Sequence, residues 1–523
     1  MGQILIPAPV STATAPIRRR PRIPDAAVIA VIATVLAALG ASRPSLWFDE
    51  AATLSAATHR SLPELWRMLT HIDAVHGLYY LFMHGWFTVF PATEFWARLP
   101  SCLAAGGGAA GVVVLSRMFA SRQVSVCAGA VYAILPRITW AGIEARPYAF
   151  SALAAVWVTV LWVTALRRNT RALWVGYAIA VVGSTLLSVF AVLMLPVHAA
   201  ALRRMPGGRA VRRRWVVAAG GAAAAVAPFL WFASGQIRQV GWIRPPSPHT
   251  VGEIVVQQYF EQSTPFAALA WLLIAAAVVA VRSGARRPPG DDRGALVWLC
   301  VVWLLVPTAA AMTYSVWVKP VYYPRYLIGT APAMAIVLAF AVTTVVGSRR
   351  AVIGIVAVMA LAAAPNFVVH QRGRYAKEGW DYSAVADVIV GHARAGDCLL
   401  IDNTTRWAPG PIRALTAARP DAFATLTDPG LGPHRQALGR LWDGHLGVAA
   451  LADRLDRCAV VWTVTDHDRL LPAHQAAAML PAGARFARSP DGRVLHALGF
   501  HVVERWQFTF AQVIRSTRGV AKT

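Results

Sequence analysis

The sequence predicts a polytopic α-helical membrane protein with a smaller α/β domain at its C-terminal end. Three observations predict it. First, 57% of the 523 residues are hydrophobic and only 14% are charged, against about 45–50% and about 25% in soluble chains, and the mean hydropathy is +0.49. Second, apolar runs near the roughly 17–25 residues that cross a bilayer recur from residue 25 to residue 369. Third, from residue 371 onward the chain turns polar, and short β-like runs alternate with helical stretches. This composition excludes a soluble enzyme, a disordered chain and a disulfide-rich secreted module. Fifty Lys+Arg against 25 Asp+Glu give a net charge of +25. The arginines, however, sit in short clusters between apolar runs, which is the pattern of membrane topology and not of a nucleic-acid surface.

The elements follow in order. Residues 1–24 are polar and Pro-rich and carry Arg18, Arg19, Arg20 and Arg22. The apolar run 25–42 behind them reads as a signal anchor, because more spans follow and no small-residue cleavage site stands out. Its positive flank places the N-terminus in the cytoplasm. Eleven candidate spans emerge, at 25–42, 98–117, 124–137, 147–166, 172–185, 188–202, 215–234, 264–281, 295–317, 326–347 and 351–369. With that count the arginine clusters at 117–122, 167–171, 203–214, 282–293 and 349–350 all face the side of the N-terminus. The alternation requires 77–90 to be an interfacial or re-entrant helix, and 172–202 to be two short helices. An odd number of spans leaves residues 371–523 outside as an extracytoplasmic α/β domain, after a transmembrane region 25–370 with an outside loop at 43–76. Of five cysteines, Cys102, Cys127 and Cys300 fall in apolar runs. Cys398 and Cys458 each begin a predicted strand, where a disulfide and two half-buried thiols are equally consistent.

With this topology the unusual polar residues gather outside. The loop 43–76 holds Trp47-Phe48-Asp49-Glu50, then Asp73 and His76, with two amphipathic helices between, at about 50–58 and 62–71, the second with Pro63 near its first position. Residues 137–148 supply Glu144, Arg146 and Tyr148, and residues 318–326 supply Lys319, Tyr322, Tyr323, Arg325 and Tyr326. A fourth loop, 235–263, with Arg238, Arg244, Glu253 and Glu261, is the natural lid. Asp49-Glu50 reads equally as first-turn acids on a helix and as a general base facing the outer leaflet. Arg146 and Arg325 read as interface side chains or as a phosphate or diphosphate clamp. Asp73 and His76, three apart, are a weak metal signature, and no metal or other cofactor is expected. The chain has no Walker lysine motif and no evident inverted repeat. Its charges lie on one face, whereas a transporter or flippase needs them near the midplane.

Five motifs in order carry a family resemblance. They are Leu46-Trp47-Phe48-Asp49-Glu50-Ala51, then Asp73-Ala74-Val75-His76-Gly77-Leu78-Tyr79-Tyr80 with His84 and Trp86, then Ala97-Arg98-Leu99-Pro100-Ser101, then Glu144-Ala145-Arg146-Pro147-Tyr148-Ala149, and Arg325-Tyr326-Leu327. The chain resembles the polyprenyl-phosphate-sugar-dependent membrane glycosyltransferases of the GT-C fold, in the bacterial branch of the protein O-mannosyltransferase and aminoarabinose-transferase group. Gly77 stands where that group has two prolines, and Ile143 where it commonly has Gln. The C-terminal domain is covered only loosely.

The resemblance implies an inverting transferase acting at the outer face of the membrane. Its donor is a sugar on a polyprenyl phosphate, and its acceptor is a hydroxyl of an envelope glycan or glycolipid. Asp49 is implied as the base, with Glu50 beside it in the chemistry and Asp73 orienting. Arg146, Arg325 and Lys319 are implied to hold the departing phosphate, and His76, Tyr79, Glu144, Tyr148 and Tyr323 to complete the substrate contacts. High Ala, Arg, Val and Trp usage suits a GC-rich genome such as an actinobacterium's, where mannose and arabinose both travel on polyprenyl phosphate. Mannose is favoured, and an arabinofuranosyl or aminoarabinose-type transferase is the alternative.

Overall fold

The computed structural model describes residues 23–205, 207–285, 290–402, 413–447, 450–468 and 484–519. The expected cytoplasmic tail with Arg18, Arg19, Arg20 and Arg22 lies outside them. The first part of the chain is helical: α1 Ile23–Ala38, α2 Phe48–Ala57, α3 Leu62–His71, α4 Gly77–Phe87, α5 Glu94–Arg117, α6 Arg122–Ile134, α7 Pro136–Ala141, α8 Tyr148–Arg168, α9 Arg171–Leu187, α10 Met194–Ala201, α11 Arg209–Ser234, α12 Pro248–Gly252, α13 Gln258–Phe260, α14 Thr264–Arg282, α15 Asp291–Trp317, α16 Ala331–Val345 and α17 Arg349–Pro365.

Among the described residues seven helices are long and apolar enough to cross a membrane, and α1 and α9 are shorter apolar helices. The expected eleven full spans are therefore not reproduced. The stretch at 124–137 is interrupted because α6 stops at Ile134 and Pro136 begins a new helix. The stretch at 188–202 opens as a 3₁₀ turn over Val189–Leu193 and is α-helical only from Met194. Outward faces of the long helices are apolar: Val216 and Trp231 on α11, Leu272 and Val279 on α14, Ile353 and Leu361 on α17 are all exposed. Such a surface suits lipid, and the chain is a multi-pass membrane protein. In the interior, α1, α5 and α6 pack closely. A methyl group at Gly106 would run into Thr34, and one at Gly129 into Ile29 and Val113, so small residues set that approach. The α4 helix covers most of the apolar segment 77–90 and, at 11 residues, is shorter than a span. Its Leu78, Leu81 and Phe82 face outward while Tyr79, Tyr80 and Met83 are buried.

The polar part contains α18 Tyr382–His392, β1 Cys398–Ile401, α19 Ala414–Ala418, α20 Arg435–Leu438, α21 Ala452–Leu455, β2 Val460–Asp466, α22 Ala484–Arg488, α23 Pro490–Ala497, β3 Phe500–Gln507 and β4 Ala511–Arg518. Among the described residues the strands form a sheet of order β1-β2-β4-β3. The β1–β2 pair is parallel, and the other two pairs are antiparallel. Cys398 and Cys458 form a disulfide, with their Cα atoms 5.9 Å apart, which decides between the two readings left open above. This domain does not stand apart from the membrane helices. Trp380, Tyr382, Leu415 and Trp462 share one apolar core with Leu46, Trp47, Ala51, Leu54, Ala97 and Ala145. Leu46 N–H donates to Ser383 Oγ (3.0 Å), and Ser383 N–H donates to Ser45 Oγ (2.9 Å).

One pH effect follows from this domain. Asp491, in the first turn of α23, is buried, and that burial, with Asp402 beside it, pushes its carboxyl up to about 7. The folded chain thus holds a proton that the unfolded chain releases near the ordinary carboxylate value of about 3.9. The resulting stabilisation is complete below about pH 4 and is lost as the pH rises through about 7. Thermal melts of the full chain in detergent are expected to show stability falling between pH 5 and pH 8, with Asp491→Asn flattening that slope. An unchanged slope in the variant would contradict this assignment.

Candidate active site

The site is built at the start of α2. Trp47 precedes the helix in an extended conformation, so Asp49 and Glu50 occupy its first turn, where the helix dipole favours acids. Consecutive helical residues point about 100° apart, and the two carboxylates diverge. Glu50 is fully buried and forms a two-toothed pair with Arg98 of α5: Arg98 Nε donates to Oε1 (2.7 Å) and Nη2 to Oε2 (2.6 Å). Arg98 also donates to the carbonyls of Ala41, Pro44 and Ser45 at 2.7, 2.8 and 3.1 Å. Glu50 Oε1 further accepts the Ala145 N–H (3.1 Å). Glu50, expected to take part in chemistry, is thus enclosed with no surface toward a substrate. It braces the loop that carries Arg146. Asp49 turns the other way and is partly exposed, its carboxylate 3.7 Å from the Arg325 guanidinium.

Arg146 is held by the helical motif around α4. Its Nη1 donates to Tyr80 Oη (2.8 Å), Tyr80 Oη donates to Asp73 Oδ2 (2.6 Å), and Arg146 Nη2 donates to His76 Nε2 (2.8 Å). Because guanidinium nitrogens only donate, His76 Nε2 must be an unprotonated acceptor, which places the imidazole proton on Nδ1. Burial, and then the charge of Arg146, hold His76 well below its ordinary value. Burial raises Asp73, partly opposed by Arg146. Asp73 adopts a left-handed conformation (φ 60°), and its N–H and that of Ala74 are capped by Gln239 and Gln236 of the loop 235–263 (3.2 and 2.9 Å).

Arg325, in the turn leading into α16, is mostly buried in an aromatic frame. Its guanidinium carbon lies 4.7 Å from the Tyr323 ring centroid, 5.1 Å from Trp47 and 5.9 Å from Trp242. Besides Asp49 it faces Glu378 at 3.5 Å. Tyr148, at the start of α8, is buried within electrostatic reach of both Arg325 and Asp49. Glu144 is fully buried, paired with Lys377 and accepting the Trp47 indole N–H (3.0 Å). Burial pushes its carboxyl upward, against the pull of Lys377. Its role in the structure is to lock Trp47 to the segment that enters the C-terminal domain.

The structure thus brings Asp49, Asp73, His76, Arg146, Tyr148, Tyr323 and Arg325 together, with Glu50 and Glu144 as supports beneath them. Two further residues expected to touch substrate make contacts within the protein. Tyr79 packs into the core against Phe150, with ring centroids 5.7 Å apart. Lys319 donates its ammonium to the Ile237 carbonyl (3.1 Å) and so ties down the loop 235–263. Sequence reasoning passed over Tyr80, Trp242, Lys377 and Glu378. A signal existed for Tyr80, because it lies in the same short motif as Asp73 and His76. Among the described residues no three His, Cys, Asp or Glu side chains are grouped so as to hold a metal ion.

Bundle, loops and sheet together define a membrane protein of the GT-C fold, with an acid–arginine site where the segments 43–76, 137–148 and 318–326 meet. The same fold is seen in ArnT from Cupriavidus metallidurans in the apo state: 93% of this chain and 97% of that chain align at a TM-score of 0.54 and 12% identity. An oligosaccharyltransferase from Archaeoglobus fulgidus aligns over 83% of this chain and 67% of that one, at 0.42 and 13% identity. AglB from the same organism, solved with an inhibitory peptide and a dolichol-phosphate, aligns over 84% and 69%, at 0.43 and 11%. No family profile and no curated protein sequence matches the chain.

Proposed function

We propose that the protein is an inverting glycosyltransferase. It moves a sugar, mannose in the favoured reading, from a polyprenyl phosphate to a hydroxyl of an envelope glycan or glycolipid. The observation that carries this is the placement of a partly exposed carboxylate, Asp49, 3.7 Å from a guanidinium buried among aromatic rings. In this reading the acceptor hydroxyl gives its proton to Asp49 while its oxygen attacks the anomeric carbon from the face opposite the phosphate. The carbon–oxygen bond to the phosphate breaks, and its electron pair leaves with polyprenyl phosphate. That leaving group is already a stable anion and needs no proton. Arg325 and Arg146 strengthen their hold as charge develops on it, which is the electrostatic share of catalysis. Tyr80, His76 and Asp73 fix the Arg146 fork in advance of binding.

The orientation proposed with this function puts the N-terminus in the cytoplasm and the C-terminal domain outside. The Cys398–Cys458 disulfide supports it, since disulfides persist in oxidising compartments. No metal or organic cofactor has a role in these steps.

The deciding experiment incubates the purified protein with radiolabelled polyprenyl-phosphate mannose, arabinofuranose and aminoarabinose, and asks which is consumed. Consumption of none of them removes the proposal. Within it, Arg146→Ala is expected to raise the donor KM about ten- to hundredfold, the worth of one or two charge-assisted hydrogen bonds. The acceptor KM should change far less, and equal effects on both would contradict the phosphate role.

A further inference from the structure

Beside Trp47 lies a cavity of about 550 Å³ that the steps above do not use. That is the size range of small-molecule sites. The residues lining it include Trp47, Trp140, Glu144, Glu261, Gln262 and Glu378. Three of these residues have backbones in the left-handed region: Glu261 (φ 45°), Gln262 (φ 61°) and Glu378 (φ 54°). Non-glycine residues hold that conformation only where their surroundings fix it, and such strain gathers at binding sites. The surroundings here are specific. Glu261 is ion-paired with Arg137, and its carbonyl accepts the Asn366 side-chain amide (2.7 Å). Lys377, which borders the space, is neutralised by Glu144 and lies 5.5 Å from the Trp140 ring centroid.

The chemistry of this space differs from that around Arg146. Acid and amide groups sit beside flat aromatic faces, and the two cations that line the space, Lys377 and Arg374, are paired with Glu144 and Asp387. Carboxylates repel a phosphate but accept hydrogen bonds from hydroxyls, and indole faces pack against the apolar C–H faces of a sugar ring. The cavity also adjoins the candidate base. Arg325 bridges the two, 3.5 Å from Glu378 on the cavity wall and 3.7 Å from Asp49. We infer that this cavity is the docking site of the acceptor's sugar, a neutral polyhydroxylated ring held between Trp47 and Trp140 and hydrogen-bonded by Glu261 and Gln262. The inference rests on the transferase reading and adds where, and by which residues, the acceptor is recognised.

The test is saturation-transfer NMR on the full chain in detergent, with neutral oligosaccharides of mannose and of arabinose as probes. The unmodified protein is expected to transfer saturation to at least one of them. Ala376→Trp, which projects a ring into the space, is expected to abolish the signal. Gln262→Ala, at the exposed mouth and safe for folding, should weaken binding about three- to tenfold, the loss of one hydrogen bond. Binding of undecaprenyl phosphate should stay within twofold in both variants. Sugar signals that are absent from the unmodified protein, or unchanged in both variants, overturn the assignment. The two failures are distinguishable. Sugar binding that depends on the cavity, with no donor consumed, removes the transferase reading alone. Donor consumption without such binding removes the acceptor site alone.

Discussion

Asp49→Asn is expected to lower the rate of sugar transfer by about 10²–10⁴, the usual contribution of a positioned general base. Folding and donor binding should be retained. The carboxamide keeps the size of the side chain, and Asp49 is partly exposed, its one ion pair among the described residues being the 3.7 Å contact with Arg325. Arg325 keeps its aromatic frame and its contact with Glu378. Single-turnover transfer, measured beside polyprenyl-phosphate binding, separates the two effects. A variant within tenfold of the parent rate would remove Asp49 as the base. A variant that no longer bound donor would place Asp49 in binding instead.

Arg98→Ala is the second large effect, and it falls on stability. The substitution strands Glu50 as a buried carboxylate and leaves three carbonyls, of Ala41, Pro44 and Ser45, without their donor. Removing one partner of a buried pair typically costs about 3–5 kcal/mol. Thermal unfolding in detergent should show a large drop in midpoint. The double change Glu50→Leu with Arg98→Leu should recover only part of it, because the carbonyls and the Ala145 N–H stay unsatisfied. A single variant that melts with the parent would show that the pair is not the brace described.

Much of this site was legible because its key residues lie in short motifs next to the ends of apolar runs. Asp49, Arg146 and Arg325 are conspicuous as charges at a membrane face. Asp49 and Glu50 were not separable in the sequence, since adjacent acids look alike until helical geometry sends one inward. Glu144 meets Lys377 across 233 residues, and no local pattern announces such a pairing. The eleven expected spans are not all matched by long helices, for a different reason. Apolar length sums correctly through Pro136 or through a 3₁₀ turn, yet the helix does not continue there. In the polar domain, β1 and β2 stood out as apolar runs. The β3–β4 hairpin turns through Phe508-Thr509-Phe510 without the Gly or Asn that usually marks such a connection.

The core shared by Leu46, Trp47, Ala51 and Ala97 with Trp380, Tyr382 and Trp462 has a practical reading. A gene fragment beginning at residue 371 encodes only part of a folding unit. Expressed by itself, it would present to water the side that normally rests on α2, and it would tend to clump. The same holds for chimeras. Exchanging the polar module between two such proteins should yield a well-behaved product only if the stretch 43–57 is exchanged with it. The two pieces are therefore expected to be inherited as one.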